Sequence, residues 1–83
     1  MTYSVETTER FDKEFKKLDK YTQRMIKGWI DKHLADCQNP RAFGKGLTAN
    51  RSGQWRYRIG DYRFICNIQD DKLVILALSV GIG

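Results

Sequence analysis

The spacing of apolar residues changes along the chain from a helical repeat to a strand-like alternation. A short alternating segment, with Tyr3 and Val5 on one side, predicts an N-terminal strand. Two helices follow, the first capped by Thr7 or Thr8 and the second by Thr22. Their apolar residues, three or four positions apart, are Phe11, Phe15 and Leu18, then Met25, Ile26, Trp29, Ile30 and Leu34. This pattern predicts an antiparallel helical hairpin with one face to bury.

The middle of the chain interrupts the helical pattern. Asn39-Pro40 ends the second helix, because a residue before proline is pushed out of the helical region. Several glycines punctuate the residues that follow, up to position 53. We expect an ordered loop here, and it carries the cations Arg41, Lys45 and Arg51.

Alternation with a period of two dominates the chain after position 54. Residues 55–59 and 62–68 alternate around Gly60-Asp61, which predicts a two-residue hairpin turn. Asp70-Asp71 is expected to form the next turn, and residues 72–80 a third strand that is apolar on both sides. Such a strand usually lies inside a sheet. The predicted order is β-α-α-β-β-β, an α+β fold with the helices on one face of an antiparallel sheet.

The Gly60-Asp61 turn fixes the register of the predicted hairpin. With two residues in the turn, Arg58 faces Arg63, and Arg56 shares their side of the sheet. The other side, which should pack on the helices, carries Trp55, Tyr57, Ile59, Tyr62, Phe64 and Cys66. Like charges directly opposite each other are destabilising, and a bound anion would justify that cost. Guanidinium groups suit phosphate because their planar fork donates two parallel hydrogen bonds.

The arginines predict an anion site but leave the partner open. Around an RNA phosphate, Arg56, Arg58 and Arg63 would stabilise the extra charge that develops when a phosphodiester is attacked. The loop cations at 41, 45 and 51 would extend that surface as RNA-binding residues. The same pattern also fits a solvated basic strand or a docking face for an acidic peptide.

Composition narrows the class of protein. A length of 83 residues, 41% hydrophobic and 30% charged, is typical of one soluble globular domain spanning residues 1–83. No apolar run approaches the ~20 residues that cross a bilayer, and the N-terminus lacks the pattern of a signal peptide. We therefore expect a cytoplasmic protein without a membrane partner. The net charge of +5 favours an acidic partner, either nucleic acid or protein.

Other candidate chemistry is sparse. Cys37 and Cys66 have neither CxxC spacing nor a neighbouring histidine, and we interpret them as reduced thiols packed as small apolar residues. His33, the only histidine, lies in the second predicted helix and is expected to be structural. The sequence contains no Ser-His-Asp pattern, paired-carboxylate motif, Gly-rich phosphate loop or metal-ligand cluster. We expect no metal and no cofactor, and any catalysis would depend on the arginines.

Four segments carry a resemblance to a known family. They are Asn-Pro-Arg at 39–41, Gly-Lys-Gly-Leu at 44–47, Gly-Gln-Trp-Arg-Tyr-Arg-Ile-Gly-Asp-Tyr-Arg at 53–63 and Leu-Val-Ile-Leu-Ala-Leu-Ser-Val-Gly at 73–81. The segment at 53–63 is the specific one, and a Phe-x-x-x-Phe-x-x-Leu helix at 11–18 accompanies it. Together they resemble the RelE toxins of the RelE/ParE superfamily over nearly the whole chain.

The resemblance implies the toxin of a bacterial or archaeal type II toxin–antitoxin pair, with a small RelE-like fold and a RelB-like or similar antitoxin as partner. RelE toxins enter the ribosomal A site and cut mRNA, whose own 2′-hydroxyl attacks the adjacent phosphate without a metal. Position by position, Arg56 and Arg58 match the strand residues that grip the mRNA backbone. Arg63 matches the arginine that stabilises the transition state.

The sequence departs from the family pattern at its C-terminal end. RelE-like chains usually continue after Val-Gly with a basic pair and a short helix that carries a tyrosine, whereas residues 80–83 read Val-Gly-Ile-Gly. The fold is therefore expected to lack that helix. Two alternative functions stay open: a ParE-type inhibitor of DNA gyrase, and a catalytically impaired copy that only binds antitoxin.

The third predicted strand adds an apolar strip to the arginine side. If Asp70-Asp71 is a two-residue turn, this strip lies beside Ile65. It comprises Val74, Leu76, Leu78 and Val80. Monomers seldom leave a patch of several hundred Å² uncovered. We expect an antitoxin segment, or a second copy of the chain through self-association, to bind there.

Overall fold

A computed structural model describes residues 1–46 and 54–83 of the chain. Two helices pack on one face of a mixed sheet with the strand order β1-β5-β4-β3-β2. The strands are β1 (Ser4–Thr7), β2 (Lys45–Gly46), β3 (Gln54–Ile59), β4 (Tyr62–Gln69) and β5 (Val74–Ile82). The helices are α1 (Glu9–Lys16) and α2 (Lys20–His33), and Pro40–Ala42 forms a 3₁₀ turn. The predicted α+β class and order are confirmed, with β2 added inside the predicted loop.

The direction of β1 differs from the prediction of an antiparallel sheet. β1 runs parallel to β5, with Val5 beside Ile75, whereas the other neighbouring strands are antiparallel. A parallel pair requires a long crossover, which the helices and the hairpin strands between β1 and β5 supply. β5 consequently lies between β1 and β4, inside the sheet, as its apolar sequence predicts.

Helix α1 begins at a predicted cap, but helix α2 does not. The Thr8 hydroxyl accepts a hydrogen bond from the Phe11 amide at 3.3 Å. At α2, Asp19 is the cap rather than Thr22, and its carboxylate accepts hydrogen bonds from the Thr22 hydroxyl and amide. These bonds lower the pKa of Asp19. A carboxylate both satisfies free amides and interacts favourably with the positive end of the helix dipole. Among the described residues, neither helix has the length and apolar character required to cross a membrane.

The core lies between the helices and the sheet. Its buried residues are Phe11, Ile26, Ile30, Leu34, Tyr57, Ile59, Phe64, Cys66, Ile68, Ile75, Ala77 and Val80. The side of the hairpin predicted to face the helices is buried as expected, although Trp55 and Tyr62 are only partly covered. Burial raises the pKa of the Cys66 thiol to about 12. The thiol therefore stays protonated near neutral pH, as expected of a packed cysteine.

The turn between β4 and β5 is longer than predicted. It spans residues 70–73, and Gln69 pairs with Val74 across it. Leu73 ends the turn with a φ of 54°, a region that bulky residues seldom adopt. The longer turn shifts the register by two residues. Val74 and Leu76 stay on the arginine side, but they pair with Gln69 and Asn67 instead of lying beside Ile65.

A β-bulge at Leu78 overturns the rest of the predicted apolar strip. The register with β4 shifts between Ile65 and Cys66, because β5 carries one extra residue there. Val80 thereby turns to the helix side and is buried in the core. A glycine, instead of an apolar side chain, lies opposite Arg63. The strip is therefore not continuous beside the arginines.

Glu14 of α1 provides the hydrogen-bond acceptor for a backbone amide of β5 beyond this bulge. Its carboxylate accepts a hydrogen bond from the Val80 amide at 3.1 Å. We expect Glu14→Ala to lower the free energy of unfolding by about 1–3 kcal/mol, because the partly buried amide would lose its acceptor. Glu14→Gln keeps an acceptor and should cost less. Urea denaturation followed by tryptophan fluorescence measures both variants, and equal losses would contradict this explanation.

Candidate anion-binding site

Three arginines meet on the open side of the hairpin in the predicted register. Arg58 pairs directly with Arg63 across β3 and β4, and Gly60 adopts the left-handed φ of 59° that the tight turn requires. Alternation along β3 brings Arg56 to the same side. The predicted juxtaposition of like charges is therefore present in the folded chain.

The arginines line a concavity of about 330 Å³. Its lining residues are Gly44, Lys45, Arg56, Arg58, Tyr62, Arg63 and Gly83. None of these carries a side-chain carboxylate, and Arg58 and Arg63 are exposed. In the described ranges the ion pairs join Arg10 with Glu14, Lys13 with Glu9 and Arg41 with Asp70. Arg56 is half-buried and the other three cations of the concavity are exposed, and none of the four forms an ion pair with an acidic side chain in the described part of the chain.

Strand β2 brings a fourth cation to the cluster. Lys45 pairs with Arg56 across β2 and β3, so both side chains lie on the same side of the sheet. The sequence predicts that Lys45 extends the cationic surface from a loop, whereas it reaches that surface from an edge strand. We call the group of Lys45, Arg56, Arg58 and Arg63 the cationic cluster.

Gly44 sets the path of the chain into β2. Its φ is 75°, and a Cβ atom there would lie 2.2 Å from the Arg56 carbonyl oxygen. We expect Gly44→Ala to disturb the pairing of β2 with β3 and to cost about 1–3 kcal/mol of stability. The matched control is Gly28→Ala in α2, where a Cβ meets no atom within 4 Å and should stabilise the helix by about 1 kcal/mol. Thermal unfolding compares them, and similar melting temperatures would contradict this view.

Arg41 lies apart from the cationic cluster. Its guanidinium donates two hydrogen bonds to the Asp70 carboxylate, at 2.9 and 3.1 Å. Its central carbon lies 5.9 Å from the centre of the Trp55 ring, which is on the helix side of β3. The Arg41 guanidinium therefore contacts Asp70 and Trp55, on the opposite side of the sheet from Arg56. Arg51, the third predicted loop cation, lies outside the described residues.

The Asp70 carboxylate joins three segments of the chain. Tyr3 donates its hydroxyl hydrogen to Asp70 at 2.6 Å, beside the two bonds from Arg41. The hydrogen bonds from Arg41 and then Tyr3 lower the pKa of Asp70, and Asp70 in turn raises the pKa of Arg41 and of Tyr3. The sequence identifies Asp70 only as a turn residue. A partner 29 positions away leaves no local signal in the sequence.

Sequence reasoning also misses an aromatic cluster at the edge of the sheet. Phe43 is 43% exposed, and its ring centre lies 5.0 Å from that of His33 and 6.2 Å from that of Trp29. His33 is half-buried against Trp29 at 4.7 Å, which agrees with the structural role predicted for it. Within the described ranges, no group of three or more His, Cys, Asp or Glu side chains is arranged to hold a metal ion.

Comparisons with known proteins agree with this architecture. The family model for the ParE toxin of the type II toxin–antitoxin system parDE matches residues 5–83. A comparison with curated proteins gave no match. The chain is 23% identical to a chain of the RelBE2 toxin–antitoxin complex of Mycobacterium tuberculosis, with a TM-score of 0.87 over 100% of this chain and 93% of that one.

Two other solved structures extend the likeness to a second bacterium and an archaeon. A chain of the intact Escherichia coli RelBE complex is 22% identical, with a TM-score of 0.75 over 98% of this chain and 96% of that one. A chain of the RelE–RelB complex of Pyrococcus horikoshii OT3 is 25% identical, with a TM-score of 0.74 over 99% and 96%. The fold is therefore shared with proteins from toxin–antitoxin complexes.

Proposed function

This chain belongs to the ParE toxin family of type II toxin–antitoxin systems, and we propose that it is a ribosome-dependent mRNA endonuclease. The observation that carries the proposal is the cationic cluster. It places a directly opposed pair, Arg58 and Arg63, beside Arg56 and Lys45 in a concavity whose described lining has no side-chain carboxylate. A phosphodiester backbone is the anion that such an arrangement fits best, because each guanidinium can bind two phosphate oxygens.

Two of the arginines would bind the RNA backbone, and the third would stabilise charge in the transition state. Arg56 and Arg58 are two positions apart on β3, a spacing of roughly 7 Å, and would bind neighbouring phosphates of an extended strand. Arg63, opposite Arg58, would bind the nonbridging oxygens of the phosphate under attack. Its charge would stabilise the additional negative charge that forms on those oxygens in the transition state.

The reaction itself needs only the RNA as nucleophile. The 2′-oxygen forms a bond to phosphorus, and the bond between phosphorus and the 5′-oxygen breaks. The products are a 2′,3′-cyclic phosphate and a 5′-hydroxyl, so the proton lost by the 2′-hydroxyl is balanced by one gained at the leaving oxygen. The described lining of the concavity contains neither a carboxylate side chain nor an imidazole as an efficient base. Most of the acceleration must therefore come from orientation, and the ribosome would supply it by holding the strand.

We expect negligible cleavage of naked RNA and efficient cleavage of the same mRNA in translating ribosomes. Without the ribosome, the strand is not held in the orientation that attack by the 2′-hydroxyl requires. Toeprinting of one mRNA with and without ribosomes measures the difference. An Arg63→Ala preparation run in parallel excludes contaminating nuclease. Equally vigorous cutting of the free and the ribosome-bound message would contradict the proposal.

An antitoxin completes the proposed system. The similar bacterial and archaeal chains come from complexes named RelBE2, RelBE and RelE–RelB, and we propose a RelB-like or similar partner for this chain. Its expected effect is to suppress mRNA cleavage when the two proteins are mixed in equal amounts. A protein that binds antitoxin but never cleaves would be the impaired copy considered as an alternative.

Inhibition of DNA gyrase is the second candidate, and the match to the ParE toxin model favours it. The two activities differ in target, so purified components separate them. We expect unchanged supercoiling by gyrase at protein concentrations that complete the ribosomal cleavage. Inhibition of supercoiling without mRNA cleavage would replace the proposed function by this one.

A further inference from the structure

We propose that Phe43 is a base-stacking residue for single-stranded RNA bound at the cationic cluster. The inference rests on the proposed function, because it requires an RNA backbone at the cluster. It adds a residue that contacts a base, whereas the cluster itself contacts only the backbone. Phe43 would thereby contribute to affinity and to the choice of nucleotide beside the bound phosphate.

The Phe43 ring combines exposure with a firm support. It is one of the few large apolar side chains among the described residues that remain exposed, at 43%. One part of the ring packs edge-on against His33 and Trp29, with interplanar angles of 62° and 73°. Trp29 in turn packs on the buried Tyr57 ring at 5.4 Å. The Phe43 ring is therefore supported by the core through Trp29, while part of its surface is open to a ligand.

The backbone that follows the ring is also fixed. The Phe43 carbonyl accepts a hydrogen bond from the Trp55 indole at 2.6 Å. The next residue, Gly44, has room for no side chain, because a Cβ would lie within 3 Å of both the Arg56 carbonyl and the Tyr57 ring. A fixed platform loses little conformational freedom when a base stacks on it, which favours binding.

Phe43 is within reach of an RNA strand held by the cluster. It precedes Lys45 by two residues, a span of about 7 Å at most, and Lys45 pairs with Arg56. Among the described strands β2 lies at the edge of the sheet, and the proposed path of the RNA runs from the cationic side around that edge to the helix side, where Phe43 contacts α2. Cations that follow the backbone together with an aromatic ring beside them are the usual combination in proteins that bind single-stranded nucleic acid.

The first experiment measures binding of a short fluorescein-labelled single-stranded RNA by anisotropy at low salt. We expect Phe43→Ala to weaken binding about tenfold, the usual effect of losing one stacked base, and Phe43→Trp to bind at least as tightly as the parent. Tyr21→Ala is the matched control, since Tyr21 is 75% exposed in the first turn of α2 and should leave the affinity unchanged. Circular dichroism verifies that each variant is folded.

The second experiment separates stacking from a general structural effect. The base is removed from one position of the RNA at a time, and each abasic RNA is titrated with the parent and with Phe43→Ala. At one position the two proteins should bind equally, because the stacking partner is already absent. A tenfold difference that persists at every abasic position would overturn the inference.

The same titrations distinguish failure of the inference from failure of the proposed function. If the parent binds RNA and Arg58→Ala binds it more weakly, yet Phe43→Ala binds like the parent, then only the base-stacking role is wrong. If the parent does not bind RNA, or Arg58→Ala binds it as tightly, then the cationic cluster does not hold free RNA and the base-stacking inference is wrong. The proposed function is decided separately, by cleavage of ribosome-bound mRNA.

Discussion

Arg63→Ala should reduce cleavage of ribosome-bound mRNA by about 100-fold or more, which is the usual cost of removing one group that stabilises transition-state charge. Arg63 is exposed and lines the concavity, directly opposite Arg58 and next to the glycine of β5 that pairs with it. No described carboxylate binds its guanidinium. The loss of cleavage should therefore come from the missing contact with the phosphate and not from unfolding, and growth of cells that express the variant should recover in parallel.

The stability of this variant distinguishes a functional arginine from a structural one. Removing Arg63 also removes the repulsion between two like charges in a cross-strand pair. We expect the free energy of unfolding to change by no more than about 0.5 kcal/mol. Arg63→Lys keeps the charge but loses the planar fork, so it should retain only part of the activity.

Lys72→Ala provides the matched control for Arg63→Ala. It removes the same charge from the exposed turn after β4, roughly 20 Å along the strand from Arg63. Cleavage by this variant should equal that of the parent. An Arg63→Ala protein that cleaves as fast as its parent would remove the residue from the mechanism. Equal losses in both variants would mean that only net charge matters.

The hairpin is predictable from the sequence because its determinants are local. Gly60 supplies the left-handed turn residue, and strict alternation on both sides leaves one register that buries the apolar residues. That register alone is sufficient to bring Arg56, Arg58 and Arg63 to one side of the sheet. The agreement concerns the positions of these three arginines.

The features that escape prediction depend on contacts between distant parts of the chain. The bulge in β5 is accompanied by a hydrogen bond from Val80 to Glu14, 66 positions earlier. The parallel direction of β1 depends on where the helices return the chain to the sheet. The pairing of Arg41 with Asp70 likewise has no signature in a local pattern. Periodicity identifies the faces of each element but not which remote group completes its hydrogen bonds.

Phe64→Ala, unlike Arg63→Ala, should reduce stability rather than catalysis. Phe64 follows Arg63 in the sequence and lies on the other side of the same strand. We expect its substitution to lower the free energy of unfolding by about 3–5 kcal/mol. Phe64 is completely buried, with ring centres 5.6 Å from Phe11 and 5.9 Å from Tyr57. Its truncation would leave a cavity between α1 and the sheet. Urea denaturation monitored by circular dichroism measures the loss, and Phe64→Leu, which fills more of the space, should lose less.

Substitutions at two adjacent residues of β4 should therefore reduce activity for different reasons. A protein of 83 residues has a total stability of roughly 4–12 kcal/mol, so the loss expected for Phe64→Ala consumes much of it. Phe64→Ala should lower the amount of folded protein and, with it, the activity, whereas Arg63→Ala should stay folded and inactive. Activity per folded molecule separates the cases, because it should be preserved in Phe64→Ala and lost in Arg63→Ala. An unchanged urea midpoint for Phe64→Ala would show that the ring is not the centre of the core.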